Sequence, residues 1–485
     1  MTRTVMASVS RGLLVLLLLV ASAAAQEKKA TGKPSGESAK PAEPGKIVAN
    51  VDKDGGPVTV YFVKRAITVS GAPIDRAAIV VQDGVIKAVG PRDRVEVPAN
   101  AKTVDAKGQV AVPGFVDPAG LTYSSKSRYS SAGRSTSGNK KVSSSLKPDR
   151  KTAQQLAKAG YTTVAVIPTG GGLAGLGALV RPVKGGAEPL ESADVIREDG
   201  AVLAMGFDAG TASRKMWVET IDKARKYITD LAAYEKAKKE APKAKPAEKP
   251  AKDEKKPDPK ASDPKKPAKD EKKPEKKDEA KKKPEDKGPK EPKKDDKLMP
   301  LVDVLEGRQA GILGMDSASD FLHFEEMFEK EPAFRPALLL VVTSNRAQAH
   351  AWRVLDRIKA LGVPVIFGPT IGTLPRATAN RRVTQRIFLE AGVPVAISPG
   401  AKVTGETVRF RLLEQIRHGI SEDQILRAVT LTPAEILGIQ DRCGSLEAGK
   451  DADILMFDGN PFAPTTELLE VLVGGESVYT REETR

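Results

Sequence analysis

Apolar residues alternate with polar ones, or form short unbroken runs, near both ends of the chain. Between residues 58 and 112 the runs VTVYFV, AAIVV, GVIKAV, KTVDA and QVAV are separated by Asp-Gly and Lys-Gly turns. Short runs of this kind, bounded by glycine-containing turns, predict β-strands. The same pattern returns in residues 441–485, in ADILMF, LEVLVG and ESVYT. We therefore expect a small β-sandwich formed by the N- and C-terminal segments together.

The central part of the chain alternates apolar runs with longer amphipathic stretches. The strand-like runs are TTVAVI (162–167), AVLAMG (201–206), GILGM (311–315), ALLLVVT (337–343), VPVIFG (363–368) and VPVAIS (393–398). The helical stretches are Arg150–Ala159, Ala212–Lys239, Ala318–Glu329, Ala347–Ala360, Arg381–Glu390 and Val408–His418. Strands that are apolar throughout and separated by helices indicate a parallel sheet covered on both faces. Because the alternation persists over roughly 300 residues, it predicts an α/β fold of the (β/α)8 TIM-like barrel type, in two parts at 113–235 and 298–440.

One segment breaks this pattern. Residues 236–297 consist almost entirely of Lys, Pro, Asp, Glu and Ala, and the sequence KPAKDEKKP occurs in them twice. Such a segment has too little apolar surface to offset the entropy lost on ordering, so we expect a disordered Lys/Pro/Glu-rich insert. It carries 25 Lys against 16 acidic residues, which accounts for +9 of the chain's net charge of +15. The basic character of the chain is therefore a property of the insert rather than of a folded face.

The insert has two interpretations. Its lysines could attract an anionic envelope polymer, whereas its charges of mixed sign favour a solvated spacer. The insert contains no aromatic residue that could stack on a base, so we expect no specific binding of nucleic acid.

The N-terminus carries the features of a secretory signal peptide. Arg3 and Arg11 precede the short apolar run Leu13–Val20, and Ala23-Ala24-Ala25 supplies the small residues of a cleavage site. We expect residues 1–25 to be removed on export to the periplasm or the extracellular space. An uncleaved anchor is the alternative, but the run is shorter than the roughly 20 residues that span a bilayer. The mature chain would then begin with a polar segment, 26–57, and have no transmembrane segment.

Two long stretches of the sequence resemble the amidohydrolase superfamily. The first, AAIVVQDGVIKAVGP…AKTVDAKGQVAVPGFVD, is similar to that family's N-terminal β-sandwich and first barrel strand. The second, LRAVTLTPAEILGIQDRCGSLEAGKDADILMFDGNPF at 426–462, resembles its C-terminal return into the sandwich. Within the superfamily the likeness is to the imidazolonepropionase-like and dipeptidase-like metal-dependent hydrolases. The resemblance implies hydrolysis of C–N bonds other than typical peptide bonds, with zinc or another divalent metal as the cofactor.

The family holds its metal with histidines and an aspartate at the carboxyl ends of barrel strands, where the metal lowers the pKa of a bound water. Carried over residue by residue, these ligand positions are Ala119, Leu121, Gly314, Ser344 and Gly400. The first two take the place of the family's His-x-His pair. None of the five residues is a metal ligand of the family's type. The sequence therefore predicts a degenerate metal site, with no metal cofactor and no catalytic residue.

Other residues could still contact a substrate. Asp316, Ser344 and Asn345 follow predicted barrel strands and are the candidates for substrate binding, although a place in the N-cap region of the next helix is the better interpretation of Asp316. The glycine-rich GGGLAGLG at 170–177 lacks the Lys-Ser/Thr of a phosphate loop. It predicts either a tight βα connection or a loop that closes over a substrate.

Histidine and cysteine are scarce in this chain. The histidines are His323, His350 and His418, and the single cysteine is Cys443. The histidines are not spaced like a ligand pair and are expected on helices in structural or surface roles. A single cysteine excludes an intrachain disulfide.

Three functions remain open from the sequence. In the first, the protein is exported and acts without a metal centre, binding a small molecule or a protein partner. In the second, it is an active amidohydrolase that uses non-standard site residues. In the third, the lysine-rich insert tethers the protein to the cell envelope. The missing ligands favour the first. A homo-oligomer is compatible with this architecture, but nothing in the sequence sets its symmetry.

Overall fold

The computed structural model contains two β-sheets. The N- and C-terminal segments together form the smaller sheet, and the chain between them forms the larger one. The structure describes residues 45–120, 130–186, 189–240, 290–329, 331, 333–340, 350–371, 382–399 and 405–481. The strands are β1 (Thr59–Ala66), β2 (Ile74–Gln82), β3 (Val85–Pro91), β4 (Lys102–Pro113), β5 (Phe115–Gly120), β6 (Ser130–Ser135), β7 (Tyr161–Val166), β8 (Thr169–Val180), β9 (Ile196–Phe207), β10 (Ala310–Met315), β11 (Ala337–Leu339), β12 (Val365–Phe367), β13 (Val395–Ile397), β14 (Ile454–Phe457), β15 (Leu468–Val473) and β16 (Glu476–Thr480).

The smaller sheet contains strands from both ends of the chain. Its order is β16-β15-β14-β4-β1-β2-β3, so the N- and C-terminal strands meet where β14 pairs with β4. Only the β1–β4 pair is parallel among the ladders of this sheet that the structure describes. On β1, Tyr61 and Val63 pack into one apolar cluster and Val60 and Phe62 into another. Because apolar residues lie on both faces of the sheet, these strands appear in the sequence as unbroken apolar runs.

The larger sheet is a nearly closed barrel. Its order is β5-β7-β8-β9-β10-β11-β12-β13, with β6 beside β8. Seven of these strands run in one direction, and β8 runs antiparallel to both β7 and β9. The α/β class and the eight-stranded TIM-like barrel are therefore confirmed, with one antiparallel strand.

The glycine-rich stretch 170–177 corrects one sequence prediction, because it lies within strand β8 and is not a βα connection. A Cβ on Gly206 of β9 would stand 2.1 Å from the Gly170 carbonyl oxygen, and one on Gly172 would stand 2.3 Å from the Ser135 carbonyl oxygen. The glycines therefore allow β8 to approach its neighbours closely.

Ten α-helices are described around these strands. They are α1 (Arg150–Lys158), α2 (Ser192–Val195), α3 (Thr211–Glu240), α4 (Met299–Leu305), α5 (Ala318–Phe328), α6 (Leu355–Leu361), α7 (Thr384–Glu390), α8 (Gly405–Arg417), α9 (Glu422–Val429) and α10 (Leu431–Leu437). Short 3-10 turns at Val142–Ser145 and Ala351–Val354 precede α1 and α6. None of the helices in the described part has both the length and the apolar character needed to cross a membrane.

Small apolar side chains fill the inside of the barrel. They alternate along the strands, as the two-residue period of a strand requires. Examples are Val116, Ala165, Ala204, Ile312, Ile366 and Ala396, which form one buried cluster with Ile436 and Leu437 of α10. Helix α10 therefore packs against the barrel interior and contributes to the same core.

The chain on either side of the insert is described, in helix α3 before it and in the segment that leads to α4 after it. Helix α3 follows β9 and includes 236–240, so the first residues of the predicted disordered insert are helical instead. The chain resumes at 290 and enters α4, which leads to the start of β10. The prediction of disorder for the intervening 241–289 falls outside the described residues, as does the signal peptide.

Candidate functional site

The carboxyl ends of the parallel strands mark the end of the barrel, here called the mouth, where enzymes of this architecture place their site. The segments 121–129, 341–349, 372–381 and 400–404 follow four of these strands and lie outside the described residues. Leu121, Ser344, Asn345 and Gly400 belong to them, so the structure does not place these predicted positions.

Two of the predicted ligand positions are described. Ala119 on β5 is 3% exposed and packs in the apolar cluster inside the barrel. Gly314 on β10 lines a small cavity of about 30 Å³ together with Ile167, Thr169, Gly170 and Leu339. A methyl group and a bare Cα offer no lone pair to a cation, so neither position fits the divalent metal of the family.

The space above Gly314 is largely filled by the chain itself. Ile167 through Gly170, which join β7 to β8, line the same cavity as residues of β9, β10 and β11. A cavity of about 30 Å³ is far below the roughly 300–1,000 Å³ of a typical small-molecule pocket. Within the described residues, the barrel interior therefore has no room for an organic substrate at this point.

The side chains that could replace the missing ligands are dispersed. No group of three or more His, Cys, Asp or Glu side chains suited to a metal ion occurs in the described part of the chain. His323 lies on α5, 3.8 Å from Glu326 in the next turn, while His350 and His418 lie beside other helices. The thiol of Cys443 is buried, and burial raises its pKa to about 12. It is therefore protonated at neutral pH and unsuited to bind a metal.

Asp316 was the one substrate-binding candidate that the structure describes. It is exposed in the turn after β10 and does not itself cap α5. Ser317 is the N-cap, and its hydroxyl accepts a hydrogen bond from the Asp320 backbone N–H at 3.1 Å. The cap is therefore one residue later than expected.

Asp320 is a buried acid that the sequence interpretation missed. Its carboxylate accepts hydrogen bonds from the Ser317 hydroxyl at 2.8 Å and from the backbone N–H of Ala209 at 2.8 Å. It thus ties the turn after β9 to the turn after β10. The Ser-x-x-Asp spacing at 317–320 resembles a capping box and could have indicated it.

Replacing Ser317 by alanine should lower the free energy of unfolding by about 1 kcal/mol, because it removes an N-cap acceptor. It also removes the hydroxyl that donates to Asp320. Urea unfolding of the variant measures the loss. Alanine at the exposed Ser319 of the same helix is the matched control and should change stability by less than about 0.5 kcal/mol. Equal losses in the two variants would show that the cap contributes nothing specific.

Asp117 is a buried acid at the seam of the barrel, where the first strand, β5, meets the residue that follows the last strand, β13. Its side chain lies on β5, and its Oδ1 accepts hydrogen bonds from the Ser398 hydroxyl at 2.6 Å and from the Ala119 N–H at 3.1 Å. Ser398 directly follows β13, the last strand of the barrel, so this bond joins the two ends of the sheet. Burial raises the pKa of Asp117 to about 6, while the two hydrogen bonds act to lower it. The hydroxyl of Tyr161 has a pKa well above its usual range because of burial and the nearby charge of Asp117.

A large cavity lies at the other end of the barrel. It measures about 1090 Å³ and opens between the starts of β9, β10 and β11 and the end of α10. Its charged lining is mostly paired: Lys141 Nζ lies 3.0 Å from Asp199, and Arg308 contacts both Asp303 and Glu306. Paired charges at the amino ends of barrel strands are typical of a structural role.

Comparison with known proteins supports the architecture and gives a likeness to one family. Residues 345–479 match the sequence model of the Amidohydrolase family. An amidohydrolase from Thermotoga maritima superposes with a TM-score of 0.62, at 19% identity, over 87% of this chain and all of that one. An imidazolonepropionase from Shouchella clausii is 35% identical over 154 residues, which are 31% of this chain and 33% of the relative. The chain is therefore similar to amidohydrolases, by sequence in its C-terminal third and by fold over most of its length.

Within the superfamily the likeness is to imidazolonepropionases. A second one, from Bdellovibrio bacteriovorus, is 31% identical over 114 residues, which are 22% of this chain and 27% of the relative. The matched segments thus span about a quarter to a third of these curated relatives. The structural match, at 19% identity, shows the fold alone.

Proposed function

We propose that this protein is an exported member of the superfamily that has lost the metal chemistry of its relatives and acts by binding. The proposal rests on the residues at two of the family's ligand positions. These residues are Ala119 and Gly314, and they lie inside a barrel lined by apolar groups. A scaffold without its site residues does not by itself imply the family's activity. The partner would be a small molecule or a protein.

Export is part of the proposal and rests on the N-terminal sequence. Arg3, Arg11, the apolar run after them and the three alanines at 23–25 have the order of a cleavable signal peptide. With one cysteine the chain can form no internal disulfide, and the thiol of Cys443 is buried, so an oxidising compartment is compatible with the fold.

The alternative is a working hydrolase with other site residues, and the similarity to imidazolonepropionases favours it. Three carboxyl groups near the mouth are described in detail, and each is engaged elsewhere. Asp117 is buried against Ser398, Asp320 holds two turns together, and Asp208 lies 3.4 Å from Arg134. Asp117 and Asp320 are buried, so neither carboxyl group is open to a water molecule at the mouth as a general base.

A chelator should leave the melting temperature of the mature protein unchanged, because no metal contributes to the folded state in this proposal. The measurement is thermal unfolding with and without EDTA, after dialysis against metal-free buffer. Adding zinc back to the treated protein serves as the control and should also have no effect. A drop of several degrees with EDTA that zinc reverses would favour the hydrolase instead.

A further inference from the structure

Two arginine side chains lie within cation–π distance of one tryptophan ring beside the barrel. The guanidinium carbon of Arg382 lies 4.0 Å from the centroid of the Trp352 ring, and that of Arg353 lies 5.2 Å from it. Trp352 is half-buried, whereas both arginines are exposed. We call these three residues the Trp352 platform.

The platform lies on the mouth side of the barrel. Trp352 and Arg353 belong to the 3-10 turn that precedes α6, in the connection that follows β11. Arg382 precedes α7, in the connection that follows β12. Chain segments that follow the carboxyl ends of parallel strands lie at the same end of a barrel. Neighbouring strands thus bring two positive charges to one aromatic ring.

The two arginines lack the partners that nearby arginines have. Arg357 donates to Glu325 at 2.7 Å, and Arg386 lies 3.0 Å from Glu390. Arg353 and Arg382 both contact Trp352. Within the described residues, neither arginine has an ion pair with a carboxylate or a hydrogen bond to an acceptor.

Stacking fixes an arginine without using its hydrogen bonds. A guanidinium over an aromatic face keeps its N–H donors in its own plane, where they match the oxygens of a carboxylate or a phosphate. Two such groups on one ring present a set of unused donors and two positive charges. Charge-assisted hydrogen bonds to an oxyanion are the strongest interaction open to such a surface.

We propose that the Trp352 platform binds an oxyanion, the carboxylate or phosphate group of a ligand at the barrel mouth. The proposal rests on the proposed function in one respect, since a barrel that acts by binding needs a ligand. It names the chemistry of that ligand. No metal takes part in the interaction, so the platform can be tested separately from the metal question.

Tryptophan fluorescence of the full chain, titrated with sodium phosphate and with sodium propionate at constant ionic strength, tests the proposal. The chain has two tryptophans, and Trp217 is fully buried, so Trp352 is the one that an anion can reach. We expect a saturable change with at least one of the two anions and none with chloride. Saturation with phosphate alone assigns a phosphate ligand, with propionate alone a carboxylate, and with both an oxyanion in general. No saturable change with either overturns the proposal.

The variants Arg353→Gln and Arg382→Gln should each raise the apparent dissociation constant about tenfold or more, since each removes charge-assisted hydrogen bonds. Arg357→Gln is the matched control. It removes the same charge one helical turn later, but the partner of Arg357 is Glu325. An equal effect of all three variants would indicate nonspecific attraction and overturn the platform. EDTA-treated protein should bind the anion unchanged, and this result holds whether or not the protein proves to be a metal enzyme.

Discussion

Replacing Arg197 by methionine is expected to lower the free energy of unfolding by about 3–5 kcal/mol, which is the usual cost of breaking a buried ion pair by removing one partner. Arg197 lies at the start of β9, and its side chain is 4% exposed. Its Nη2 contacts Asp451 Oδ2, and its Nη1 lies 3.9 Å from Asp453 Oδ2. Burial lowers the pKa of the arginine, and the charge of Asp453 opposes that shift.

The size of the effect follows from what the variant leaves behind. Asp453, whose side chain is 3% exposed, also accepts a hydrogen bond from Gly474 N–H at 2.8 Å, and its carbonyl accepts one from Gly114 N–H at 2.9 Å. These contacts hold the carboxylates in place between the barrel and the terminal sheet. Without Arg197 the buried carboxylate of Asp453 and the partly buried one of Asp451 would lose this ion-pair partner, and the joint between the two sheets would weaken.

Urea unfolding measures this loss, and Arg442→Met is its control. Arg442 is about half exposed and lies 3.8 Å from Glu198, so losing it should cost less than about 1 kcal/mol. If Arg197→Met lowered the free energy of unfolding by no more than Arg442→Met does, the joint between the sheets would depend on apolar packing rather than on this ion cluster.

Replacing Asp117 by asparagine should remove a pH dependence of stability worth about 3 kcal/mol. Burial raises the pKa of Asp117 from its ordinary value of 3.8 to about 6 in the folded protein, and each pKa unit corresponds to about 1.36 kcal/mol. The folded state therefore binds the proton more tightly than the unfolded state does. This contribution is fully present below about pH 4 and is lost as the pH rises through about 6. Asparagine keeps an acceptor oxygen for Ser398 and Ala119 but does not titrate.

The measurement is the free energy of unfolding from pH 4 to pH 8 for both proteins. The wild type should lose about 3 kcal/mol more than Asp117→Asn over this range. Ser398→Ala provides a second check: it removes a hydrogen bond that lowers the pKa of Asp117, so the loss of stability should extend to higher pH. Parallel pH profiles for wild type and Asp117→Asn would mean that this carboxyl group does not titrate between these limits.

The barrel could be predicted because its parallel strands carry their own signal. Runs such as those at β10 and β12 are apolar along their whole length, and the helices between them are amphipathic, so burial on both faces is visible in the sequence. Strand β8 gives no such signal. Its glycines are typical of a loop, and it is a strand because β9 and β6 pair with it. That pairing depends on tertiary contacts that a local pattern does not contain.

In the candidate site, too, some features could be predicted from the sequence and others become visible only in the fold. Ala119 could be assigned to the family's first ligand position because the quoted motif runs up to Asp117, whereas the degenerate metal site stays a prediction. Asp117 stood in the quoted motif, but its role depends on Ser398, which lies 281 residues away in the chain. The Trp352 platform likewise brings two barrel connections together. Residues whose role comes from a partner on another strand need the fold before they can be recognised.

Metal content tests the central claim most directly. Elemental analysis would be made on the mature protein, purified without chelators and without a metal-affinity column, after dialysis. The degenerate site predicts that zinc, iron and manganese are each present well below one equivalent per chain. Binding of about one or two equivalents, the content of a working centre in such hydrolases, would contradict the account. It would show that ligands other than those at Ala119 and Gly314 assemble a metal site at the barrel mouth.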